Sequence, residues 1–186
     1  METSRFFLAL IPPEPVYTTV QKLKEHMRDR YGSKGSLKSP PHITLHMPFD
    51  WPEKKTGKPI DGIQKLAMGL PAVPITLNGF GHFDDRVLFI KVELSEQLRK
   101  FQQSIRTTFR TDFHLLNDRY RDQPFHPHMT VGFRDLKPAA FREAWQEFGE
   151  TEFRADFPAS ELTLLKHTNG MWIAFQNFPL HTDPSL

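Results

Sequence analysis

The chain has 186 residues, with 24 Lys plus Arg against 22 Asp plus Glu, a net charge of +2, and no cysteine. The lack of thiols excludes disulfide scaffolds, thiolate metal sites and cysteine nucleophiles, and so small a charge excess is not that of a protein held to nucleic acid by bulk charge. One domain of this length buries roughly 70% of its unfolded surface and needs no covalent staple.

Residues 6–11 (FFLALI) are six apolar residues ended by Pro12-Pro13. A secretory core needs about 7–15 such residues and a membrane span ~18, so the run reads as a buried first strand of a cytoplasmic protein with no membrane partner. Pro15 opens a helix carried by Val16, Val20, Leu23 and Met27, with Gly32 just past its end. A polar loop follows over 32–41. Residues 43–47, fenced by Pro40-Pro41 and Pro48, read as a short strand, and 50–57 as a loop. Ile60, Ile63, Leu66 and Leu70 predict a short helix closed by Pro71. Strands are expected at 75–77 and 87–92, turning at Asp84-Asp85. Ser95 is the N-cap of the longest helix, whose apolar stripe is Leu98, Phe101, Ile105, Phe109 and Phe113. After a charged, aromatic loop over 116–127 come a strand at 129–133, a helix opened by Pro138 through Phe141, Trp145 and Phe148, and strands at 162–165 and 172–175.

The chain repeats itself. His-Ile-Thr-Leu at 42–45 returns as His-Met-Thr-Val at 128–131, an offset of 86, and Ile75-Thr76-Leu77 returns as Leu162-Thr163-Leu164, an offset of 87. Each of the latter is followed by a turn and an apolar strand, at 87–92 and at 171–175. Each His-x-Thr is preceded by an apolar strand, an amphipathic helix and a polar loop. Two copies of one unit predict a single α+β domain over 1–186, with halves of roughly 1–94 and 95–186. In it, pseudo-two-fold lobes of antiparallel sheet form a central cleft with helices outside.

Strand residues i and i+2 share a face. His42 and Thr44 therefore point one way and Ile43 and Leu45 the other, as do His128 and Thr130 against Met129 and Val131. Two imidazoles and two hydroxyls facing across a cleft suit in-line attack on a phosphodiester. An imidazole titrates near neutrality, so one can accept a proton while the other donates one, and Thr hydroxyls can hold the non-bridging oxygens. A single His-x-Thr with apolar second and fourth residues arises by chance roughly 0.1 times in such a chain. Two copies at equivalent places in a repeat carry the argument.

In these two motifs, and over nearly the whole chain, the sequence resembles the two-histidine (2H) phosphoesterase superfamily, which includes bacterial 2′-5′ RNA ligases that act as RNA 2′,3′-cyclic phosphodiesterases. The resemblance implies a metal-independent, cofactor-free hydrolase of 2′,3′-cyclic phosphates or 2′-5′ linkages, working as a monomer on RNA or a small cyclic nucleotide. His42, Thr44, His128 and Thr130 carry over as the catalytic four. His128 as base and His42 as acid is the implied division, which the near-symmetry of the motifs leaves open. Ligase-like members often place an Arg on the fifth position after the second histidine. Here Phe133 stands there and Arg134 follows, on the histidine face only if the strand continues regularly.

Arg119 and Tyr120, beside Arg121, offer charge and a ring for a phosphate and a base. Trp172 and Lys166 flank the last turn and edge the cleft. A non-catalytic RNA-end-binding module is a rival reading, although binding alone does not require two titratable groups. A metallohydrolase built on His42, His46, His126 and His128 is another.

Overall fold

The computed structural model describes residues 2–115 and 124–181. Among them lie, in chain order, β1 (Thr3–Leu10), α1 (Val16–Tyr31), β2 (Ile43–Pro52), α2 (Gly57–Met68), β3 (Val73–Phe83), β4 (Val87–Val92), α3 (Glu96–Asp112), β5 (His128–Gly132), α4 (Pro138–Phe148), β6 (Arg154–Ala159), β7 (Glu161–Thr168) and β8 (Met171–Pro179). The end signals act where they were read. Gly32 closes α1 at a left-handed φ of 71°, with N–H groups of the closing turn returned to the helix carbonyls. Ser95 Oγ accepts the Leu98 N–H at 3.1 Å at the start of α3.

The strands form two four-stranded antiparallel sheets, ordered β2-β1-β7-β8 and β5-β4-β3-β6. This is the expected α+β architecture, with two corrections to the strand list. β2 runs through Pro48 to Pro52, and β6 replaces what reads as loop. Both are edge strands, where a proline can sit with its nitrogen turned away from the ladder. β6 escapes a pattern search because Phe157 and Ala159 are its only buried positions.

The repeat is also rearranged in space. β3 and β7 hold the same place in their sheets, as the 75–77 and 162–164 correspondence requires. The strands after them part company, contrary to the matching of 87–92 with 171–175. β8 continues outward to an edge, whereas β4 turns inward beside β5, into the place that β1 holds beside β2. β4 is the strand that leads into a helix and a His-x-Thr strand, and it is this role that decides its place. The first sheet thus draws on residues 3–52 and 161–179, and the second on 73–159, so each contains chain from both halves.

Helices lock the arrangement reciprocally. α1, which leads into β2, packs on β5, and α3, which leads towards β5, packs on β2 and β3. One apolar cluster runs through the molecule, from Phe6, Leu8 and Leu10 through Met27 and Phe109 to Leu88, Ile90 and Met129. A polar knot adds to it. Asp135, in the turn after β5, accepts from Ser33 Oγ at 2.9 Å and from the Lys34 and Gly35 N–H groups at 2.7 and 2.8 Å, tying down the segment between α1 and β2.

Both His-x-Thr strands bulge at the same step. Ala9 pairs with Thr44 but Leu8 with His46, and Phe89 pairs with Thr130 but Leu88 with Gly132. Two residues on the bulged strand oppose one on its neighbour, which resets the side-chain alternation. His46, two residues beyond Thr44, is thereby turned to the helix side, where it is buried and stacked on Phe109 at 4.1 Å. Gly132 holds the matching place, and a Cβ there would meet Met27 Cε of α1 at 2.7 Å.

Burial lowers the His46 pKa to about 4, against a partial opposing effect of its bond to the Met47 carbonyl. The unfolded ring, at 6.5, takes up a proton that the folded one refuses, so this contribution to stability is complete above pH 6.5 and is lost as pH falls towards 4. His46→Leu is expected to fold and to show a smaller fall of Tm between those two pH values than the wild type. An equal fall in both would contradict a buried neutral ring.

Candidate active site at the seam of the two sheets

β2 and β5 are the outer strands of their sheets and lie against each other where the sheets meet. His42, immediately before β2, and His128, the first residue of β5, are thus brought to one seam, near enough for charge on His128 to act on His42. Thr44 and Thr130 are half-buried beside them, while Ile43, Leu45, Met129 and Val131 are buried on the opposite side.

The two imidazoles are held in the same way. A ring nitrogen faces the carbonyl of the residue two positions earlier, His42 Nδ1 that of Pro40 at 2.7 Å and His128 Nδ1 that of His126 at 2.8 Å. A carbonyl can only accept, so each Nδ1 carries the hydrogen and each Nε2 is left for other partners. The residues between, Pro41 and Pro127, force the preceding residue into extended geometry and so aim that carbonyl back at the ring. Each ring also rests on a buried phenylalanine of the next strand, His42 on Phe7 at 4.9 Å and His128 on Phe89 at 5.1 Å.

Burial dominates the electrostatics. It drives His42 down to about 4 against the opposing bond to Pro40, with the charges of Lys24 and then His128 lowering it further. His128 is lowered too, first by burial and also by His126, against the bond to the His126 carbonyl. The free protein therefore holds both rings neutral at pH 7.

Other residues came to light only in the structure. Lys91 is the direct neighbour of His128 on β4 and shares its face with Phe89. A lone lysine at the alternate position of the apolar run VLFIKV was its signal. Phe83 closes on Phe89 at 4.4 Å and on His128 at 4.9 Å. Trp172 stands edge-on to Phe7 at 4.7 Å, on the His42 side as expected. Lys166 does not edge the cleft. It pairs with Phe6, on the opposite face of the sheet from Phe7, and bonds to Glu53 at 3.2 Å.

β5 ends at Gly132, and a turn closed by the Leu136 N–H to the Phe133 carbonyl follows. The regular strand that would set Arg134 on the histidine face is absent. Phe133 and Arg134 instead pack on each other, guanidinium to ring centroid 5.6 Å. Arg119, Tyr120 and Arg121 lie outside the described residues. The four histidines of the metal reading are not brought together, because the bulge sends His46 to α3. Among the described residues no three His, Asp or Glu side chains converge as a metal site would require.

Paired sheets meeting at two His-x-Thr strands are the architecture of a two-histidine phosphoesterase. The chain belongs to the 2′-5′ RNA ligase superfamily, whose family model matches residues 12–171. A Geobacillus kaustophilus (strain HTA426) protein named "Putative phosphoesterase GK0864" is 24% identical over 180 residues, covering 94% of this chain and 95% of that one. Among solved structures, TT0787 of Thermus thermophilus superposes with a TM-score of 0.69 at 21% identity, and E. coli LigT complexed with 3′-AMP with a TM-score of 0.65 at 19% identity. Each of these two covers 96% of this chain and 99% of the other, and at such identities the likeness speaks for the fold.

The division of faces has a measurable consequence. His42→Ala and His128→Ala, each giving up one ring–carbonyl hydrogen bond, should lower Tm at neutral pH clearly less than Ile43→Ala or Met129→Ala, which each empty a fully buried site and should cost about 2–5 kcal/mol. Equal losses of Tm in the two classes would contradict it.

Proposed function

We propose that this phosphoesterase is a metal-independent cyclic phosphodiesterase of the cytoplasm, opening a 2′,3′-cyclic phosphate on a nucleotide or RNA 3′ end, or a 2′-5′ linkage, by two-histidine acid–base catalysis. The observation that carries the reading is the matched pair of imidazoles at the seam, each with Nδ1 engaged and with no hydrogen-bond partner on Nε2 among the described residues.

With a phosphodiester between the rings, one neutral Nε2 accepts the proton of an attacking water as its oxygen bonds to phosphorus. The other, protonated, gives its Nε2 proton to the ribose oxygen as the opposite P–O bond breaks. The product is a phosphomonoester and a free hydroxyl, and the two rings have exchanged protonation states. Thr44 and Thr130 are suited to donate to the non-bridging oxygens, which gain charge in the transition state. Trp172 beside Phe7, and Phe83 beside Phe89, offer aromatic surfaces on which a base can stack, and Lys91 supplies a cation beside His128. A bound nucleotide in the E. coli LigT structures, 3′-AMP in one, fits a substrate of this class.

The reading commits to a pH profile. The active state needs one ring charged, and burial lowers both pKa values in the free protein. Hence kcat/KM should be greatest below pH 6.5 and decline as pH rises, because it reports the free enzyme. A bound phosphate anion favours imidazolium, so kcat should peak at higher pH. The assay is a panel in chelator, with 2′,3′-cyclic mononucleotides, RNA bearing a cyclic phosphate, 2′-5′ dinucleotides and ADP-ribose cyclic phosphate. Each His→Ala variant should lose roughly 10² to 10⁴ in rate, and an activated leaving group should rescue only the variant lacking the acid. Binding without turnover of any of these would favour the RNA-end-binding module, and dependence on added metal would end the proposed chemistry.

A further inference from the structure

Lys24 has no part in the chemistry above, yet it is an unusual charge. It projects from α1, is 1% exposed, and no carboxylate pairs with it among the described residues. Its Nζ donates to the Ser39 carbonyl at 2.6 Å. A buried ammonium without a counter-charge weakens a fold, and a methionine would fill the same space without that cost. The side chain is therefore better explained by what it holds than by what it stabilises.

What it holds leads directly to His42. Ser39 is followed by Pro40 and Pro41, whose rings fix φ and leave a stiff segment. The Pro40 carbonyl at its middle accepts from His42 Nδ1 at 2.7 Å. The ammonium grips one end of this short strut and the imidazole is set at the other. Among the described residues Lys24 is the only buried lysine or arginine, so the segment carrying the His126 carbonyl that orients His128 shows no matching anchor there.

We propose that Lys24 is a positioning residue for His42, anchoring the Ser39-Pro40-Pro41 strut so that Nε2 is presented to the seam. This rests on His42 being one of the acid–base pair. Electrostatics supports the geometry. Of the charges acting on His42, Lys24 from α1 has a larger effect than His128 from β5, and the Pro40 carbonyl of its own segment opposes both. Burial brings Lys24 itself down to about 7, so the anchor titrates within an ordinary working range.

The test follows the His42 and His128 ring signals by NMR through a pH titration of the full chain, wild type and Lys24→Met, beside kcat and KM on a 2′,3′-cyclic mononucleotide. In Lys24→Met the His42 midpoint should rise from its depressed value, the His42 Nδ1–H signal should weaken and the His128 midpoint should stay. The accompanying kinetic change should be a fall in kcat of roughly tenfold or more with little change in KM. Because the chain has no cysteine, Lys24→Cys can be alkylated in the unfolded state with bromoethylamine and refolded. Regaining an ammonium of nearly the same reach should restore both midpoint and kcat. Should Lys24→Met fail to fold, the wild type suffices, since coupling requires a second inflection of the His42 signal at the Lys24 midpoint and a single inflection overturns the proposal. An unchanged His42 midpoint and Nδ1–H signal in Lys24→Met overturns it whatever the activity. Coupling in a wild type that turns over no phosphodiester would support the anchor and overturn the reaction assigned to His42.

Discussion

β2 and β5 are both edge strands, and in isolated sheets each would present unpaired backbone groups and a half-apolar flank to water. They cover each other instead, without sharing a ladder. Neither sheet can supply a site alone, because each brings one histidine and one threonine. The reciprocal helices hold the edges in apposition, α1 on β5 and α3 on β2, so the strand that one helix introduces is supported by the other. The Asp135 knot ties the chain before β2 to the chain after β5 on the same principle. Everything proposed for the seam depends on this mutual cover.

The seam is built for rings that are oriented and neutral. An imidazole in water turns freely and titrates near 6.5. Here Nδ1 is engaged by a carbonyl that a proline aims, the ring lies on a phenylalanine, and burial disfavours the charged form. Under the proposed function, such a site would withhold protonation until an anion lies between the rings, which would link catalytic readiness to the presence of a phosphate. The arrangement is symmetric in its immediate contacts and asymmetric behind them, where Lys24 stands under one motif and an exposed histidine under the other.

Much of this was legible in the chain because short-range physics wrote it there. Apolar spacing marked α1, α2, α3 and α4, Gly32 and Ser95 marked ends, and the i, i+2 rule separated His42 and Thr44 from Ile43. The rule does not reach His46, since a bulge is set by cross-strand register and leaves no trace in the spacing of one strand. Nor does it reach Arg134, since the regular strand on which that residue's face was conditional stops at Gly132. β6 was missed because an edge strand with two buried residues has little apolar pattern to read.

Linear order alone was enough for the types of most elements, the polar and apolar faces of both motifs and the existence of a repeat, all of which arise from neighbours within a few residues or from recurrence along the chain. It took the folded molecule to put β4 in the place of β1, to make the two histidine strands abutting edges and to set Lys24 behind His42. Those facts depend on which distant segments share a ladder or a packing face, and a linear pattern does not encode that choice locally.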